Sequence, residues 1–191
     1  MFPVPGLAAA VLAIAFSTIA SAQPNEPDRA LNARLLVATR NADAGGVDRA
    51  LKEGASINTR NRLGETPLLI ALKKNELAMA KAFLDAGADV NLAATNGVTP
   101  LMAAAYAGQT EMAATLVAKG ADVAALDRLK KNAMTYAAGE GHTAIVALLM
   151  SKGVDPNAVY HNDLTALMWA AGYGKTATVK ALLGAGARTE P

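Results

Sequence analysis

The chain has 191 residues, of which 52% are hydrophobic, 18% charged and 4% aromatic, too apolar for a disordered chain and suited to one or two domains. With 18 Lys and Arg against 16 Asp and Glu, the formal charge is +2, too small for nucleic-acid binding that relies on bulk charge. There is no cysteine, which excludes a disulfide scaffold, Cys-ligated zinc, a thiol nucleophile and a lipidated cysteine.

In chain order, the first segment differs from everything after it. Residues 7–19 form an uncharged apolar run, followed by Ala20-Ser21-Ala22, a small-x-small site, and then by polar Gln23, Asn25 and Glu26. That pattern predicts a secretory signal over residues 1–22, cleaved after Ala22, and a periplasmic or secreted mature protein. The absence of Lys or Arg from residues 1–6 departs from the usual signal. The run is short of the roughly 20 apolar residues that span a bilayer, so no stable membrane insertion is expected after cleavage. A retained membrane tether is the alternative. Residues 23–27 read as a short linker.

From residue 28 a register of 33 residues begins. Gly54, Gly87, Gly120, Gly153 and Gly186 repeat at that spacing, as do Thr66, Thr99, Asn132 and Thr165. Five units follow, at approximately 28–60, 61–93, 94–126, 127–159 and 160–191. The first is degenerate: Arg34 stands where Pro67 and Pro100 stand later, and Arg40, Asn41 and Asp43 add the polarity of an end unit facing water. In units two and three, Thr66-Pro67 and Thr99-Pro100 supply a capping hydroxyl and a fixed-φ residue at a helix start. Gly108, Gly141 and Gly174 end these first helices. Second helices are expected from Leu77, Thr110, Thr143 and Thr176 to the other glycine series.

The apolar residues fit that reading. Leu101, Ala104 and Ala105 share a face of one helix, and Met112, Leu116 and Val117 a face of the next. Ala71, Ala104, Ala137 and Ala170 allow close helix approach, and helices this short are marginal alone, so neighbouring units must stack.

The run TPLMAAAYAGQTEMAATLVAKGADVA from Thr99, with its counterparts from Thr66, Asn132 and Thr165, resembles the ankyrin repeat over residues 28–189. The resemblance implies an all-α solenoid of stacked helix-turn-helix units joined by β-turn or hairpin-like loops. It also implies a non-catalytic scaffold that binds a protein partner through a concave face and loop tips. Two departures stand out. Leu69, Met102, Thr135 and Met168 replace the family's usual His, so its polar bond to adjacent loops is missing. The loop glycine survives as Gly64 and Gly97 but becomes Lys130 and Asp163, so the last loop pair is expected to be less regular. Unit five lacks a polar successor, which points to a partner, self-association or further chain over the C-terminal end.

Candidate chemistry is sparse. Residues 171–176, AGYGKT, resemble the tail of a phosphate loop, but Trp169 stands where its first glycine is required and Gly174 belongs to the helix-ending series. His142 and His161 are the only histidines and occupy different parts of different units; an enzymatic alternative would need a pocket where His161, Asp163 and Tyr173 converge. Asp89, Asp122 and Asp155 form a ladder rather than a cage, and loop hydrogen bonding is expected of them. No catalytic residue, cofactor or metal is expected. Trp169, in register with Ile70, Ala103 and Tyr136, is expected to be packed.

The remaining variable positions are those that the resemblance places on the concave face and tips. They are Arg62, Leu63, Glu65, Lys73 and Lys74 in unit two, and Thr95, Asn96, Val98, Tyr106 and Ala107 in unit three. Unit four supplies Arg128, Leu129, Lys131 and Glu140, and unit five His161, Asn162, Leu164 and Tyr173. Tyr106 and Tyr173 are the expected anchors, since Tyr offers large contact area at small entropy loss. With Lys130, the cations of this set tilt the face basic, and an acidic protein partner is expected.

Overall fold

The computed structural model describes residues 26–190; the expected signal segment, residues 1–22, and its expected cleavage site lie outside them. Units two to five each start where a side-chain oxygen caps a helix. Thr66, Thr99 and Thr165 accept from the N–H of Leu69, Met102 and Met168, and Asn132 does the same for Thr135. The capped helices are α3 (Pro67–Lys73), α5 (Pro100–Tyr106), α7 (Ala133–Glu140) and α9 (Ala166–Gly172). Their partners are α4 (Leu77–Asp85), α6 (Thr110–Ala118), α8 (Thr143–Ser151) and α10 (Thr176–Gly184). The first pair, α1 (Glu26–Arg40) and α2 (Ala44–Lys52), has a longer leading helix. Among the described residues there is no strand, and no helix is long and apolar enough to cross a membrane.

Each helix packs on its partner, and the odd-numbered helices pack on one another in series from α1 to α9. The even-numbered row is the more loosely spaced, so the stack curves toward the odd-numbered side. Ala71, Ala104, Ala137 and Ala170 are fully buried at the seam, and Leu68, Leu101, Met134, Leu116 and Leu149 fill the space around them. One continuous core results, running from Leu35 to Ala187. The turn within each pair needs a left-handed residue. Gly108, Gly141 and Gly174 supply it, with Asn75 in unit two and Ala42 in unit one.

The loops are stitched along the stack. Asp89, Asp122 and Asp155 each accept, through Oδ1, the N–H two residues on, as the ladder predicted. Asn58, Asn91 and Asn157 reach across to accept the N–H of Asp89, Asp122 and Arg188 in the following unit. Ala124 occupies the third position of that series, between Asn91 and Asn157, and offers no acceptor.

Candidate protein-binding face

Four loop tips are built alike. Asn61 donates its N–H to Glu65 O, Ala94 to Val98 O, Asp127 to Lys131 O and Tyr160 to Leu164 O, at 2.9 to 3.0 Å. Inside each, a second main-chain bond tightens the turn, as from Gly64 N to Asn61 O and from Lys130 N to Asp127 O. The second and third residues of every tip are thereby held outward. Arg62, Leu63, Thr95, Asn96, Arg128, Leu129 and Asn162 are all exposed there; the side chain of His161 lies outside the described residues.

Adjacent tips touch only where glycine permits it. Thr95 N donates to Leu63 O at 2.8 Å and Arg128 N to Asn96 O at 2.9 Å. A Cβ on Gly64 would lie 2.8 Å from Thr95 N, and one on Gly97 2.8 Å from Asp127 Cα. At the next two tips Lys130 and Asp163 take the left-handed conformation with a side chain attached. The fifth unit's tip answers with a 3-10 turn, His161–Asp163, in which Asn162 is left-handed as well. The irregularity expected of the last loop pair is therefore present, and its cause is the lost close approach of backbones.

Most of the other positions assigned to the face also lie at the surface. Lys73, Lys74, Ala107 and Glu140 are exposed, Tyr106 is 57% and Tyr173 61% exposed, and Val98, Lys131 and Leu164 are half-buried. Glu65 is the correction. It is only 9% exposed, because its carboxylate accepts from Lys73 Nζ at 2.5 Å and from Asn61 Nδ2 at 2.8 Å. Burial pushes the Glu65 carboxyl up, but the hydrogen bonds from Lys73 and Asn61 and the Lys73 charge outweigh it, leaving it below the usual carboxylate range. Glu65 thus ties the first tip to α3, and Lys73 is not a free cation.

The aromatic side chains gather on the curved side. Tyr106 meets Tyr136 edge-on, with centroids 6.1 Å apart, and Trp169 stacks on Tyr173 at 5.9 Å. Between the pairs, Lys131 Nζ lies 4.2 Å from the Trp169 ring centre and 5.8 Å from that of Tyr136, a cation–π arrangement. Trp169, expected in the core, is instead half-buried on this face, where a Cβ at Gly139 would lie 3.8 Å from the Tyr173 ring and 3.9 Å from that of Trp169, at ordinary contact distance. Tyr136, named in the sequence only as a register counterpart of Trp169, is not among the positions assigned to the face. Its hydroxyl donates to Asp127 Oδ2 at 2.6 Å, while Asp127 Oδ1 accepts the N–H of Leu129 and Lys131. The only available signal was that Tyr136 and Trp169 are aromatic in a register column where Ile70 and Ala103 are not.

Tyr173 lines a pocket with Tyr106, Lys131, Tyr136, Glu140 and Trp169, not with Asp163. The ring of His142 donates through Nε2 to Tyr106 O at 3.0 Å, binding unit four to unit three. Among the described residues no group of three or more His, Asp or Glu could hold a metal. What the arrangement offers chemically is recognition: a rigid row of tips, an aromatic cluster and several cations.

Comparison with curated proteins finds no match. The family model described as ankyrin repeats (3 copies) matches residues 35–127 and again 124–190, most of the chain. With its period of 33, its paired helices and its row of turn-closed tips, the chain belongs to the ankyrin-repeat family.

Proposed function

We propose that this chain is an exported, non-catalytic scaffold that binds an acidic protein partner along the tips and the curved aromatic face. Membership of the ankyrin-repeat family supports protein binding in general. The observation that carries the finer reading is the pattern of charge pairing. Ion pairs among the described residues include Arg34 with Glu53, Arg49 with Asp43, Lys52 with Asp48, Lys73 with Glu65 and Lys119 with Asp85. Arg62, Lys74, Arg128, Lys130 and Lys131 belong to none of them. Of the face's acids, Glu65 and Asp127 are buried and already bonded, which leaves Glu140 as the exposed one among the positions assigned to the face. The face therefore presents a surplus of unmatched cations to an approaching surface.

Rigid display is the mechanism: turns closed by main-chain bonds hold the contacting side chains, so little conformational entropy is lost on association. Affinity capture from the periplasmic fraction, with Tyr106→Ala and Tyr173→Ala as controls, tests the reading. Both variants should lose the partner, and moderate salt should weaken the complex; equal retention by the variants, or indifference to salt, defeats it. Export is tested by mass spectrometry of the secreted product, whose first residue should be Gln23. Self-association through the α10 end, where Leu183 is exposed, should appear as a concentration-dependent mass in sedimentation.

A further inference from the structure

One register column of the odd-numbered helices reads Ile70, Ala103, Tyr136, Trp169. Three of these are bulky and the other is a methyl group. The gap is visible as a pocket of about 190 Å³ whose lining includes Ala103, Leu69, Val98, Met102, Tyr106 and Tyr136. Its lining is almost entirely apolar, with Lys73 and Asn96 also contributing. A dry aliphatic cavity of about 150 Å³ admits a benzene ring, so this space suits a large apolar side chain.

Tyr136 is also a wall of the neighbouring pocket that contains Lys131. There the ammonium rests on Trp169 and makes no ion pair among the described residues. Held by the rings and not by a carboxylate, it keeps its hydrogen-bonding capacity for an incoming acceptor. Glu140, exposed on the same pocket's wall, opposes dense negative charge at that point.

We propose that the gap at Ala103 is a socket for one large apolar side chain of an acidic peptide segment, and that Lys131 meets a carboxylate next to that side chain across the Tyr136 ring. The proposal rests on the protein-binding reading above and adds the chemistry of the segment bound. Apolar burial supplies the anchor and the cations select the flanks.

Trp169 is the sole tryptophan and touches Lys131, so its emission reports arrival of a ligand. The full chain is titrated with three short synthetic peptides of equal length that lack Trp: Asp-rich with a central Phe, Asp-rich with a central Ala, and Lys-rich with a central Phe. The first should bind at least about tenfold more tightly than either other, the scale expected for burying one aromatic side chain. Ala103→Ile, which borrows the residue already present in the same column at Ile70, should fill the socket. It should lower affinity for the first peptide by about tenfold while the helical signal and melting temperature are retained. Lys131→Gln should weaken the same peptide about two- to fivefold, and Glu140→Gln should tighten it.

If the Asp-rich peptides with Phe and Ala bind equally, or Ala103→Ile binds as the parent does, the socket is overturned while an acidic partner stands. If the Lys-rich peptide binds best, the acidic partner is overturned as well. Absence of binding by all three overturns the socket, and the capture experiment then judges the protein-binding reading by itself.

Discussion

The Tyr136 hydroxyl donates to Asp127 Oδ2 at 2.6 Å, and through this bond helix α7 holds the third loop tip. Asp127 is buried, so removal of its donor leaves a carboxylate oxygen without compensation. Tyr136→Phe should cost about 1–3 kcal/mol in urea denaturation. Burial first, then the hydrogen bond to Asp127 and its negative charge, raise the Tyr136 phenol above the usual tyrosine range. A raised value in the folded state means that its contribution is complete below the unfolded value. It is lost as the pH climbs from about 10 toward the folded value. Melting temperature should therefore fall above about pH 10, and less steeply for Tyr136→Phe.

Ala124 interrupts the asparagine series of positions 58, 91 and 157. Those side chains accept a main-chain N–H of the next unit at 2.7 to 2.9 Å. Ala124→Asn places the same acceptor opposite Asp155 N. It should stabilise the stack by about 0.5–1.5 kcal/mol, the usual net value of one hydrogen bond. Slower amide exchange at Asp155 is the site-specific check.

Ala42 turns the chain between α1 and α2 with φ of 55°. Its register counterparts are Asn75, Gly108, Gly141 and Gly174. The left-handed conformation costs a non-glycine residue roughly 1–2 kcal/mol, against a smaller entropic penalty for glycine. Ala42→Gly should raise stability by about 0.5–1 kcal/mol, and thermal unfolding would show it.

Glu65 and Lys73 give an acid-sensitive link. Because the Glu65 carboxyl is lowered on folding, its contribution is present above its unfolded value and disappears as the pH falls through the folded one. Lys73 is half exposed, so solvent screens the pair. Glu65→Gln should lose up to about 1 kcal/mol at neutral pH, and the difference from the parent should vanish near pH 3.

The stack was legible from the sequence because its punctuation is local. A capping Thr, a Pro at the first helical position and a glycine at a left-handed turn each act within a few residues, and helices α4, α6, α8 and α10 begin at Leu77, Thr110, Thr143 and Thr176 as those signals required. The loop bonding of Asp89, Asp122 and Asp155 was readable for the same reason. The outward placement of the tip residues also followed from position. What could not be read was any contact made across the fold. Glu65 looked like one more surface acid until Lys73, a turn and a helix away, was found to hold it. Trp169 looked like core because a column of Ile, Ala and Tyr says nothing about which members meet solvent. The Tyr136–Asp127 bond joins positions nine apart across a bend, a separation that no helical or turn period marks.

Since each tip is closed by a bond between the main-chain amide of its first residue and the carbonyl of its fifth, the exposed side chains at positions 62, 63, 95, 128 and 129 carry no duty in holding the turn. They can be exchanged, alone or in combination, with little disturbance to the helices beneath. A new binding preference is therefore open to this chain by small steps at its fingertips, while the architecture stays as it is.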